Sequence, residues 1–389
     1  MKNIAIRKSK LDAIKRKHPW IFSGAILTDT SEFEDGELVR CVDPYENFLA
    51  VGHFQPGSIA VRVLSFDDVE INQEFWNQRI VNAVEMRRTQ GLISENNQIC
   101  RLVHGEGDNL PGLIIDYYNG VAIFQAHAVG MFLSAANIVE ALKVALGDDL
   151  KAVYSKCKET LPNRVDVENE YLYGEVPVPH IAKENGIPFS INWISGQKTG
   201  FFIDQRVNRK LLANYCKGKK VLNTFCYSGG FSLYALEAGA TQVDSLDSSQ
   251  KAIDLVEENV ALNNLGERHN SIVADAVKYV HNLETDYDVI VLDPPAFAKH
   301  RDKRHKAIKA YTRLNANAIR QIKPGGIIFT FSCSQVVDKF LFNKAVIAAA
   351  IQCGRNVRIL EQLHQPSDHP INAFHPEGEY LKGLVIQVD

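Results

Sequence analysis

Hydrophobic and polar positions follow two rhythms along this chain, and the change of rhythm near residue 195 divides it. Up to about residue 70 the apolar positions fall in short runs, ELVRCVDP, NFLAVGHF and SIAVRVLSF, punctuated by Gly, Pro and Asp. That pattern predicts a small all-β unit. Over residues 71–90, Ile71, Phe75, Ile80 and Val84 recur at helical spacing, and Gly91 supplies a stop. Strands are then predicted at ICRLVHG, GLIIDYY, VAIFQAHA and KAVYSKC, with a helix over FLSAANIVEALKVAL. This mixture reads as a small α+β domain. Residues 160–190, rich in prolines and polar turns, read as a hairpin followed by a linker.

Beyond residue 195, β and α segments alternate. KVLNTFC, QVDSLD, SIVAD, YDVIVLD and GGIIFTFS read as strands. GGFSLYALEAG, SQKAIDLVEENVALNN, YTRLNANAIRQI and NKAVIAAAIQCG read as helices. Near-continuous apolar runs such as VIVLD belong to strands buried on both faces. The fold class is therefore α/β, with a Rossmann-like, doubly wound and mostly parallel sheet. The expected boundaries are 1–70, 71–190 and 191–389.

Composition narrows the class. The 389 residues are 46% hydrophobic and 23% charged, with a net charge of −3, so basic surface must be local. No apolar run has the length to span a bilayer, and MKNIAIRKSK lacks the apolar core of a signal peptide. No membrane contact is expected, and the chain reads as cytoplasmic. Seven cysteines without a Cys-x-x-Cys pair argue against a disulfide framework and a zinc site, and no metal ligand set is expected. Two basic stretches stand out, RKSKLDAIKRKHPW near the start and the loop AKHRDKRHKAIK after Phe297. Either is a solvated charge run or an RNA-phosphate contact. His104 and Glu106, in VHGEGD, read as polar turn residues.

The chemistry gathers where the strands of the second half end, which is where doubly wound sheets hold ligands. The first strand ends in NTFCYSGGF, whose Gly229 and Gly230 permit close backbone approach. Phe225 and Tyr227 interrupt any G-x-G-x-x-G, so a pyrophosphate is not expected. Asp247 ends the second strand at the place of a ribose-binding acid, and Asp275 ends the third on the adenine side. Either acid alone could equally cap the following helix. Together they describe a nucleoside with a small charged tail, and S-adenosylmethionine fits. The fourth strand ends in Asp293, Pro294, Pro295, Ala296 and Phe297. A carboxylate, a rigid turn and an aromatic suit a flipped-out nucleobase. The fifth ends in FTFSCSQ, placing Cys333 beside the Asp293 loop.

These residues resemble the class I S-adenosylmethionine-dependent methyltransferases, and among them the bacterial 23S rRNA (cytosine-C5) methyltransferases of the RlmI type. HPWIFSGAI, GEGDNLPGLIID, TGFFIDQR, NTFCYSGGF, DPPAF, TFSCS and DHPINAFHPEGEYLKG carry the resemblance over essentially the whole chain. It implies a β-barrel-like PUA domain that binds RNA, a middle α+β domain of EEHEE type, and a Rossmann-like catalytic domain. It implies S-adenosylmethionine as cofactor, held by Phe225, Tyr227, Ser228, Gly229, Asp247, Asp275 and Asp293, with Phe201, Asp204 and Arg206 from TGFFIDQR packing over it. Pro294, Pro295 and Phe297 would bind the substrate base, and Cys333 and Asp293 would be catalytic. RNA, in particular 23S rRNA, is the implied partner. The sequence leaves a homodimer open.

Two departures sharpen the expectation. The fourth-strand loop carries Pro-Pro where many cytosine-C5 enzymes carry Pro-Cys, leaving Cys333 as the well-placed thiol. Ala296 separates Pro-Pro from the aromatic, which argues against transfer to an exocyclic nitrogen. Cys41, Cys100, Cys157, Cys216 and Cys353 read as core fillers and Cys226 as loop spacing. Two other readings stay open: methylation at guanine N7 or an exocyclic amine, and an RNA-binding protein that has lost catalysis.

Overall fold

The structure, a computed structural model, describes residues 1–162 and 165–389. The chain forms two compact units. The first comprises Met1–Gly186, Ile191–Gly200 and Ser367–Gly378; the second comprises Ile187–Ser190, Phe201–Pro366 and Glu379–Asp389.

The first unit opens with strands β1 (Lys2–Ala5), β2 (Trp20–Phe22), β3 (Leu38–Val42), β4 (Phe48–Phe54) and β5 (Ile59–Ser65). They form one sheet in the order β1-β3-β4-β5-β2, with β1 and β3 parallel. Ile4, Ile21, Val39, Cys41, Phe54 and Val61 make its core. A second five-stranded sheet takes β6 (Ile99–His104), β7 (Leu113–Tyr118), β8 (Val121–Ala126), β9 (Ala152–Ser155) and β10 (Glu170–Tyr173) in the order β10-β9-β8-β7-β6. It carries one strand more than an EEHEE pattern, because β6, β7 and β8 all precede the helical segment. The expectation for residues 160–190 is corrected in part. Glu170–Tyr173 is not linker: it pairs antiparallel with β9 as an edge strand. Alternation in EYLY is too short to announce a strand without its neighbour. Strand β11 (His180–Glu184) belongs to this unit, whereas Ile187–Ser190 of β12 (Ile187–Ile191) belongs to the second; Asn185 and Gly186, which separate the strands in sequence, are both at positive φ.

The helix Gln73–Thr89 starts where the side chain of Asn72 accepts a hydrogen bond from the Phe75 amide. It buries Trp76, Ile80 and Val84 in the core of the second sheet. Arg87 on this helix is fully buried. Its guanidinium donates to both oxygens of Asp108, at 2.6 and 2.8 Å, and to the carbonyls of Arg101 and Asp368. A buried charge persists only when paired and hydrogen-bonded in this way.

The second unit is built on a seven-stranded sheet. Its strands are β13 (Lys220–Thr224), β14 (Gln242–Asp247), β15 (His269–Val273), β16 (Val289–Leu292), β17 (Gly326–Ser332), β18 (Val357–His364) and β19 (Lys382–Val388). The order is β15-β14-β13-β16-β17-β19-β18. The first five are parallel, and β19 runs antiparallel to both β17 and β18. Leu222, Leu246, Ile290, Leu292 and Ile328 are buried in its core with Tyr311 and Phe342 from the helices Arg304–Gln321 and Lys339–Cys353. One sequence expectation changes here. The basic stretch 298–309 is a loop only to residue 300: a 3-10 turn spans Arg301–Lys303, and Arg304 begins the α-helix. Ala, Lys and Ile propagate a helix well, and the charged side chains stay exposed on it.

Candidate active site

Register explains why distant residues meet. Thr224 at the end of β13 lies beside Leu246 and Leu292, and Leu292 lies beside Thr330. The segments that follow, from Phe225, Asp247, Asp293 and Cys333, therefore leave the sheet at one edge. The antiparallel β19 enters at that same edge, with Lys382 paired to Ser332.

On the cofactor side, the loop after β13 alternates in hand. Phe225 (φ 55°), Tyr227 (φ 46°) and Gly229 (φ 75°) are left-handed. Bulky residues rarely adopt that region, and such strain concentrates at ligand clamps. The loop is held from below. The Cys226 amide donates to the Leu246 carbonyl, and Asn259 Nδ2 donates to the Ser228 carbonyl at 3.0 Å. A Cβ on Gly229 would meet Val256 Cγ1 at 3.0 Å. Asp247 faces the loop: one carboxylate oxygen accepts from the Tyr227 amide at 3.2 Å and the other from the Ser249 amide at 3.0 Å. Each oxygen keeps a second lone pair, which fits ribose hydroxyls. The cradle and the acid thus fit the nucleoside of S-adenosylmethionine.

The remaining cofactor candidates divide. Phe201 is buried against Phe189 and beneath the Arg209 guanidinium, so it supports the region from within the core. Arg209 also donates to the Phe202 carbonyl, and the Phe202 ring meets Tyr227 edge-on at 5.0 Å. Asp204 is buried and accepts from the Tyr380 hydroxyl at 2.8 Å. Arg206 is buried at the start of the helix Arg206–Ala213. Asp275 is exposed and caps the helix Ala276–Tyr279, accepting from the Lys278 amide at 2.9 Å. Of these, only Asp275 stands at the open surface with a carboxylate oxygen to offer.

On the base side, Pro294 is buried, Pro295 is exposed, and Asp293 and Phe297 are half-buried. The Phe297 ring lies 4.7 Å from that of Tyr311. The Tyr311 hydroxyl accepts from Ser332 Oγ at 2.9 Å. Its pKa rises to about 12, mainly through burial, with the charges of Cys333 and Asp293 adding to the rise. Both groups therefore lie within electrostatic reach of one phenol. Cys333 is half-buried, as is Cys353 at the end of the helix Lys339–Cys353, whereas the other five thiols are buried: burial pushes Cys41 up to about 12 and raises Cys226 further. Ser334 Oγ donates to the Ala298 carbonyl at 2.7 Å, tying the Cys333 turn to the Asp293 loop.

Sequence reasoning missed Lys382. It is only 6% exposed, and its ammonium donates to the carbonyls of Ser334 at 2.6 Å and Val337 at 2.8 Å. Burial lowers its pKa to about 8, and the nearby Cys333 opposes the fall. A buried cation beside a thiol favours the thiolate. The available signal was a lone Lys at the head of the apolar run KGLVIQV. A cleft of about 390 Å³ in the first unit, lined by residues such as Asp67, Glu70 and Arg79, holds none of the expected site residues.

The chain matches two family models. A PUA-like domain matches residues 4–66, and an S-adenosylmethionine-dependent methyltransferase family matches residues 100–378. The chain is similar to proteins named ribosomal RNA large subunit methyltransferase I from Shewanella frigidimarina and Aeromonas hydrophila. Identity is 39% and 38%, with 99% of each chain covered. Among solved structures, SMU.776 in complex with SAH shares the fold over 100% of both chains, with a TM-score of 0.85 at 24% identity. An S-adenosylmethionine-dependent methyltransferase from Streptococcus mutans matches with a TM-score of 0.84, again at 24% identity and full coverage of both chains.

Proposed function

The chain belongs to the S-adenosylmethionine-dependent methyltransferase family, and from that premise we propose that it methylates C5 of a cytosine in 23S rRNA through a covalent Cys333 adduct. The observation that carries this reading is the half-buried Cys333 at the end of β17, backed by the buried Lys382 ammonium and tied by Ser334 to the Asp293 loop. Phe225, Tyr227, Ser228, Gly229, Asp247 and Asp275 are the residues that would hold the cofactor, which supplies an electrophilic methyl group on a sulfonium.

C5 of cytosine is a poor nucleophile. Attack of the Cys333 thiolate on C6 forms an S–C6 bond; the C5–C6 π pair becomes a C4–C5 π bond and the C4–N3 π pair passes to N3, which is protonated, making C5 enamine-like. Asp293 holds N3 and shares a proton there as charge develops. After C5 is methylated, loss of its proton restores the double bond and expels the thiolate. The ring rests against Phe297, while the Pro294–Pro295 turn keeps the loop rigid.

RNA is the partner suggested by the PUA-like domain and by the relatives' names. The helix Arg304–Gln321 begins with Arg304, His305 and Lys306 and carries no acid in its first turn. Cations oppose the helix dipole there, and an RNA phosphate would relieve the conflict. A reduced catalytic thiol suits the cytoplasm. Among the described residues no helix is long and apolar enough to cross a membrane. Sedimentation of the purified chain decides whether it acts as a homodimer.

The test is RNA carrying 5-fluorocytidine. A stable covalent complex with wild type that is absent in Cys333→Ala supports cysteine attack. Methyl transfer by Cys333→Ala at the wild-type rate would sink the covalent scheme and favour another position on the RNA.

A further inference from the structure

The first unit brings together three metal-ligating side chains that lie far apart in sequence. His18 precedes β2, while His375 and Glu377 belong to the segment Ser367–Gly378. One ligand atom from each lies within 4.8 Å of the others. His18 Nε2 is 3.7 Å and His375 Nε2 3.9 Å from the same oxygen, Glu377 Oε2. Four-coordinate zinc with bonds of about 2.0–2.2 Å sets neighbouring ligand atoms roughly 3.4 Å apart. The three groups therefore need to close by a fraction of an ångström to about 1.4 Å, which side-chain rotation covers.

A second observation points to a ligand. His375 is 4% exposed, yet neither ring nitrogen has a hydrogen-bond partner. Buried polar atoms are rarely left so, and each orphan calls for an explanation such as a bound ion. The ring is fixed in place by Trp20, whose indole meets it edge-on at 4.4 Å. Trp20 in turn donates from Nε1 to Glu106 Oε1 at 2.8 Å, and Glu106 pairs with Arg62 at 3.4 Å. That pair neutralises itself beneath the cluster, leaving Glu377 as the charge that faces a cation. The Trp20 amide donates to His18 Nδ1 at 3.1 Å, and the Trp20 carbonyl lies 3.3 Å from the same atom. A metal at Nε2 would shift the ring proton to Nδ1, where that carbonyl accepts it in place of the amide contact.

We propose that His18, His375 and Glu377 form a binding site for a divalent late transition metal, Zn²⁺ in the first instance, with one position left to water. Two imidazoles and one carboxylate suit zinc and disfavour Mg²⁺ or Ca²⁺, which prefer all-oxygen sets. Such a site staples the segment Ser367–Gly378 to the strand β2 region within the first unit. It is independent of Cys333, and its test does not read methyl transfer.

The full-length protein is titrated with Co²⁺ and then with Zn²⁺. One equivalent of Co²⁺ should bind with tetrahedral d–d absorption and no sulfur-to-cobalt charge-transfer band, and Zn²⁺ should displace it. His18→Asn and His375→Gln should each weaken binding at least tenfold, and Glu377→Gln less. Zn²⁺ should raise the melting temperature of wild type but not of the variants. Circular dichroism confirms that each variant is folded, and the exposed Glu377→Gln serves if His375→Gln is not. Absence of saturable binding overturns the proposal, as does equal binding by the His18→Asn/His375→Gln double variant. A charge-transfer band that survives in that double variant would place the metal on cysteine and refute the site.

Discussion

Replacing Lys382 by Met removes a buried charge while keeping most of the side-chain volume. The ammonium lies 2.6 Å from the carbonyl of Ser334, the residue after Cys333. The Cys333 charge is near enough to raise the Lys382 pKa, and at a separation on the order of 6 Å an effective dielectric near 20 gives about 3 kcal/mol. Cys333 is only half-buried, so solvent screening halves this, which corresponds to about 1 pKa unit. Each unit costs about tenfold in thiolate near neutral pH but returns about threefold in intrinsic nucleophilicity. The net loss in single-turnover methylation at pH 7 is therefore about threefold. The assay is alkylation of Cys333 across pH, read by peptide mass spectrometry, beside single-turnover methyl transfer and a titration with S-adenosylmethionine. The alkylation midpoint should move up by about 1 unit with cofactor affinity unchanged. Methyl transfer lost with an unmoved alkylation midpoint would show that Lys382 only holds the turn, and would refute the electrostatic role.

Four further outcomes follow from the same structure. Burial lowers Lys382 from 10.5 to about 8 in the folded chain, so the folded chain sheds that proton before the unfolded chain does. Its contribution to stability should rise as pH goes from about 8 to 10.5, by at most about 3 kcal/mol, and denaturant melts of Lys382→Met should lack that slope. Gly229→Ala should destabilise by about 1–3 kcal/mol, because φ is 75° and the new Cβ meets Val256; adding Val256→Ala should restore the steric part alone. Asp247→Asn should weaken S-adenosylmethionine binding about tenfold or more by calorimetry, since it loses a charged acceptor for the ribose and its hold on the Tyr227 amide. Arg87→Met should cost about 3–5 kcal/mol in urea unfolding by stranding the Asp108 carboxylate, and Arg87→Met/Asp108→Leu should recover most of it.

What could be read from the sequence, and what could not, follows from the range of each interaction. The doubly wound sheet was legible because its strands carry unbroken apolar runs, and strand-end chemistry follows the chain locally: Asp247 after QVDSLD, Asp293 after VIVLD, Cys333 after GGIIFTFS. Parallel register then aligns those ends without further information. Three features escaped. The left-handed turns at Phe225 and Tyr227 have no residue signature, because aromatic side chains disfavour that region and adopt it only where Asn259, Leu246 and Asp247 over-determine the loop. Lys382 reaches the Cys333 turn only because β19 reverses direction, so its place depends on pairing with Ser332 fifty positions earlier. Ser367–Gly378 joins the first unit although it lies between strands of the second, through Arg87 to the Asp368 carbonyl and the Asp368 carboxylate to the Arg101 amide. No local periodicity encodes such a return. Lys382 and His375 both sit where a late segment closes on an early one. Local patterns locate strand ends and loops, but a polar side chain buried by a long-range contact shows its role only once the contact is seen.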